Sequence, residues 1–122
     1  MSSMERSVRQ ARFEIADLQK RIAVLESTRN DLERQISKLN DSVPEETVAP
    51  NAEREGYVAY GSYAKSVIAR RENIRETLDN INEQTGALAS ELKISLDALD
   101  SFERVRARQL AAKAEQAMKR RA

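Results

Sequence analysis

The chain has no cysteine, no histidine and no tryptophan among its 122 residues, and only two prolines, three glycines and five Tyr or Phe. Without cysteine there is no disulfide framework and no thiolate chemistry, which fits a reducing compartment. Without histidine, general acid–base work falls to a carboxylate held in a pocket with a raised pKa. The opening "MSSMERSVRQ" lacks an apolar core, and no stretch approaches the ~18 uninterrupted apolar residues of a membrane span, so a soluble, unexported chain is expected. With 4% aromatic and 34% charged residues, material for a compact globular core is scarce.

The aliphatic residues are nevertheless regular. From Met4 they step by four and three through Val8, Ala11, Ile15, Leu18, Ile22 and Leu25, and after Arg29 through Leu32, Ile36, Leu39 and Val43. In heptad terms Val8, Ile15, Ile22, Ile36 and Val43 fall at a and Leu18, Leu25, Leu32 and Leu39 at d, one seam along one helix face that Arg29 alone interrupts. Ser2 and Glu5 have capping-box spacing, so helix 1 is expected over about 3–42.

Pro44 and Pro50 bracket "PEETVAP", where proline removes backbone donors and ends the helix, giving a turn over about 43–51. Asn51 is placed to cap a second helix, with Glu53 and Glu55 in its positive first turns. That helix, expected over about 52–118, repeats the rhythm through Tyr57, Tyr60, Ala64, Val67, Arg71, Ile74, Leu78, Ile81, Thr85, Leu88, Leu92, Ser95, Leu99 and Phe102. Its weak seam positions are Arg71, Thr85 and Ser95.

Two seams joined by a short turn cover each other when the chain folds back, so the expected fold is all-α, a single antiparallel two-helix coiled coil over 1–122 with the second helix longer. Setting a against d gives a register such as Leu39 with Tyr57 and Val8 with Leu88; a slip of one heptad satisfies the pattern equally. The rival is a parallel two-stranded dimer, which β-branched a residues with leucine at d also favour. At ~1.5 Å per residue, helix 2 outruns helix 1 by about twenty residues, an overhang over about 100–122.

Charge is uneven although the net value is +1. Residues 103–122 carry seven cations against two carboxylates, and residues 41–56 carry five carboxylates against Arg54. The ends and the middle therefore suit different partners. The overhang "FERVRARQLAAKAEQAMKRRA" mixes Leu99, Phe102, Val105 and Leu110 with basic residues, a composition for an acidic or apolar socket, or simply for a solvated helical end. A basic helix beyond a coiled coil also resembles the plan of zipper proteins that bind nucleic acid phosphates, but the tail has no asparagine to read adenine edges. No phosphate-binding glycine loop occurs, and the acidic turn matches no calcium loop, so neither cofactor nor metal is expected and an enzyme is not.

Three of the five aromatics crowd into Tyr57, Tyr60 and Tyr63, three residues apart and followed by Arg70 and Arg71. Such rings can seal the open end of a hairpin. Aromatic and arginine side chains together also make interface material, and Gly61 between them lets another backbone approach.

"YGSYAKSVIARRENI" and, further on, "LKISLDALDSFERVRARQLAAKAEQ" resemble the flagellar FliJ family, particularly its short alphaproteobacterial type. The likeness runs along nearly the whole chain and is carried by the tyrosine ladder leading into Ala69 to Asn73 and by the stretch around Phe102 and Glu103. The chain is shorter than typical members, with a brief lead-in to helix 1. The resemblance implies a monomeric antiparallel coiled coil of the flagellar type III export apparatus, cytoplasmic and peripheral to the inner membrane at the flagellar base, similar to the central stalk of rotary ATP synthases. Its terminal end would enter the pore of the hexameric export ATPase (FliI) through Leu99, Phe102, Arg104, Arg106, Arg108, Leu110 and Lys113. Its turn end would meet the cytoplasmic domain of the export gate (FlhA) through Tyr57, Tyr60, Tyr63, Arg70 and Arg71. Some members also handle export chaperones.

Overall fold

The computed structural model describes residues 3–42 and 54–121, the side chains of 54–60 excepted. All are helical: α1 is Ser3–Ser42 and α2 is Arg54–Arg121, the longer of the two. Neither helix contains proline, and α1 contains no glycine. Hydroxyl residues, which compete with the backbone in a helix, bond back one turn here; Thr28 Oγ1 donates to the Val24 carbonyl at 3.0 Å and Thr85 Oγ1 to the Ile81 carbonyl at 2.8 Å. The expected turn, with Pro44, Pro50 and Asn51, lies outside the described residues, as do Ser2 and Val43. Neither described helix is long and apolar enough to cross a membrane.

The fold is all-α, two unequal helices packed against each other, and it divides into two compact units. The first joins α1 up to Ala23 with α2 from Gly86 onward. Val8, Ala11, Ile15 and Leu18 are buried on α1 and Leu88 on α2, with Leu92, Ser95, Leu99, Phe102 and Val105 half-buried. As α1 runs from Arg6 to Arg21, the α2 residues beside it run backwards from Phe102 to Glu91, so the helices are antiparallel here. Burying a valine, isoleucine or leucine such as Val8, Ile15, Leu18 or Leu88 stabilises the pairing by roughly 1.5–3 kcal/mol each. On the rim, Arg12 Nη2 meets Glu103 Oε1 at 2.9 Å.

The second unit is Val24–Thr85. Val67 and Ile81 are buried, and Leu25, Leu32, Ile36, Leu39, Ile74 and Leu78 are half-buried along the expected seam. Arg29 and Arg71, which interrupt the two seams, are half-buried as well. The Nε of Arg71 is buried with no hydrogen-bond partner.

The register differs from the one counted from the sequence. Val8 shares a hollow with Arg106 instead of facing Leu88, and Leu39 shares a groove with Val67; the Tyr57 side chain, set against Leu39 in that count, lies outside the described residues. A seven-residue repeat satisfies apolar-on-apolar pairing at every heptad slip, so periodicity alone does not choose. The same displacement shortens the overhang. Half-burial continues to Arg106, and residues 107–121 are all exposed, where an uncovered stretch from about residue 100 was expected.

Candidate docking surfaces

A groove on the second unit is built by both helices. Leu39 and Val67 lie along it with Gln35, Lys38 and Ser42 from α1 and Tyr63, Ser66 and Arg70 from α2, around a volume of about 400 Å³. Tyr63 is 45% exposed, and its hydroxyl donates to the Ser42 carbonyl at 3.4 Å. Ser42 ends α1, whose last turn carries no basic residue, so the hydroxyl meets one of the carbonyls that a helix end leaves unpaired. Tyr63 therefore helps to close the hairpin and also borders the groove.

Arg70 is exposed on this groove, whereas Arg71 is half-buried in the seam and does not line it. The two were paired in the sequence as one surface; one residue of helix separates them by about 100° and sends them to different environments. The side chains of Tyr57 and Tyr60 lie outside the description. A methyl group added at Gly61 would meet nothing within 4 Å, so no contact within the chain requires glycine there.

On the first unit, the residues assigned to a bare terminal end divide into two groups. Leu99, Phe102 and Arg106 are partly covered, and Arg104 pairs with Asp100 at 2.9 Å. Arg108, Leu110 and Lys113 lie in the exposed tail, where Leu110 is 59% and Met118 73% exposed. Continuing the seam from Leu99 and Phe102 in steps of four and three gives Arg106, Gln109, Lys113, Gln116 and Arg120, all polar. Ala107, Leu110, Ala114 and Ala117 follow instead a line one residue onward, roughly 100° around the helix, with Ala111 and Met118 four residues on from Ala107 and Ala114 beside it. The tail thus presents a face of its own, flanked by cations, and is not an unpaired continuation of the seam.

Sequence reasoning missed the α1 wall of the groove, Gln35, Lys38 and Ser42, because only the register brings them beside Tyr63 and Arg70. It also passed over Phe13, 70% exposed, which shares a second groove with Ile94, 69% exposed. A readable signal existed, since phenylalanine at an outward heptad position has no packing reason within a two-helix seam. Among the described residues no group of three or more His, Cys, Asp or Glu could hold a metal ion. Comparison with protein-family models, with curated proteins and with solved structures finds no match to this chain.

Proposed function

We propose that the chain is a stalk-like component of a flagellar type III protein export apparatus, coupling a hexameric export ATPase to the cytoplasmic domain of the export gate at the inner membrane, and needed for flagellum assembly and motility. It acts by binding through its tail and its groove, with no catalysis and no cofactor of its own. The observation that carries this reading is the tail. Fifteen consecutive exposed residues, 107–121, continue α2 beyond Arg106, its last half-buried residue, with five cations, one carboxylate and a separate apolar stripe. A helix of that kind suits a socket with acidic and apolar walls. The groove beside Tyr63 and Arg70 supplies a second surface for the gate, and export chaperones are further candidates for the tail.

The test is a stop codon after Arg106. That cut removes the bare helix and keeps Phe102, Val105 and the Arg12–Glu103 pair, so the two-helix packing survives. Stimulation of the cognate export ATPase should disappear while far-UV circular dichroism and melting stay close to those of the full chain. Undiminished stimulation by the shortened chain, or tight binding of the full chain to duplex DNA at physiological salt, would overturn the assignment.

A further inference from the structure

The groove of the second unit has a sign. Of its eight lining residues two are cations, Lys38 and Arg70, and none is a carboxylate. Both cations are exposed, and neither has a carboxylate partner among the described residues. Arg12, Arg34 and Arg104 are paired with Glu103, Asp31 and Asp100, whereas the exposed Arg21 and Arg75 are without an ion pair among the described residues, as Lys38 and Arg70 are; what marks the groove is that its two cations border apolar side chains with no carboxylate in the lining. The floor is apolar, from Leu39 and Val67, and Gln35 and Ser66 add neutral hydrogen-bonding groups along the edges.

We infer that this groove docks an acidic amphipathic helix of a partner protein, one to two apolar side chains entering over Leu39 and Val67 while carboxylates on its flanks pair with Lys38 and Arg70. A channel between two parallel-lying helices accepts a third helix by the same side-chain interdigitation that joins the first two. The eight residues from Gln35 to Ser42 span about 10 Å, room for about two turns of the incoming helix. Arginine can take a carboxylate through two parallel N–H donors, which fixes direction as well as sign, and lysine opposite holds the second flank. A neutral or basic helix would leave both cations desolvated against apolar side chains without a partner, so charge selects the occupant. The inference rests on the docking role given above to this groove, and it specifies the partner's chemistry.

The probe is a fluorescent, amidated 18-residue peptide of alanine, leucine and glutamate, with leucines at alternating three and four spacing and glutamates on both flanks. Its twin carries glutamine at every glutamate. Against the full-length chain, fluorescence anisotropy should show the glutamate peptide binding at least tenfold more tightly than its twin. Lys38→Gln with Arg70→Gln should bring the two to within twofold of each other, and because both side chains are exposed the double variant should keep its circular dichroism and melting. In amide NMR spectra of the labelled full chain, the peptide should shift Lys38, Leu39, Ser66 and Val67. Three results overturn the proposal: equal affinity for both peptides, shifts confined to residues 107–121, or binding that emerges only after Glu45→Gln, Glu46→Gln and Glu53→Gln, which would make the groove the seat of the chain's own acidic segment. None of these readouts involves the export ATPase, so peptide binding without ATPase stimulation would keep the groove and remove the export reading.

Discussion

Tyr63 reaches across from α2 to donate its hydroxyl to the carbonyl of Ser42, the residue that ends α1. The contact is long at 3.4 Å, so its share of stability is small, and the ring's place beside the groove matters separately. Tyr63→Phe should cost at most about 1 kcal/mol in urea denaturation while leaving the groove wall intact. Tyr63→Ala should cost more and widen the groove. Equal losses from the two variants would mean that the hydroxyl alone matters.

Seam and tail should differ sharply under the same truncation. Leu88 is buried and Leu110 is 59% exposed, though both lie on α2. Leu88→Ala should lower stability by roughly 2–5 kcal/mol, the usual range for a buried leucine. Leu110→Ala should stay within about 0.5 kcal/mol of the parent, as surface changes do. Thermal melting followed at 222 nm resolves the difference, and a large loss from Leu110→Ala would show that the tail is covered in solution.

Arg71 places a buried, unpartnered Nε in an apolar seam. Arg71→Leu should therefore raise stability by about 1 kcal/mol, since an unsatisfied buried donor costs that much or more. A destabilised variant would indicate that the guanidinium finds a partner in solution.

The register is checked by distance. Spin labels at Lys38 and Ser66, which line the same groove, should lie close within one molecule even when labelled chains are diluted with unlabelled ones. Proximity lost on dilution would indicate the parallel dimer. For the other unit, a double-mutant cycle on Arg12 and Glu103 should give a coupling below about 1 kcal/mol that fades in high salt, because both side chains are substantially exposed.

How much of this was legible before the structure follows from what a period can say. The helix-sized repeat marks the seam residue by residue, and among the described residues Val8, Ala11, Ile15, Leu18, Val67, Ile81 and Leu88, all seam positions, are the buried ones. It is silent on translation along the seam, so Val8 was set against Leu88 and too long a tail was left bare. The same gap hid the groove, since Lys38 and Arg70 are distant in sequence and become neighbours only once Leu39 lies by Val67. Arg71 was read two ways, as a weak seam position and as a surface cation beside Arg70, and its half-burial favours the first.

The tail belongs to the same unbroken helix as the packed stretch before it, and that decides what a partner meets. A fifteen-residue peptide of this composition, alone in water, would be only marginally helical because starting the first turn is costly. Attached to α2, residues 107–121 inherit a turn already formed and need only propagate it, with Ala107, Ala111, Ala112, Ala114 and Ala117 among the residues most favourable for doing so. A socket that receives this segment is thus spared most of the ordering entropy that a disordered basic tail would bring to the encounter. An excised copy of the segment should consequently compete poorly with the intact chain.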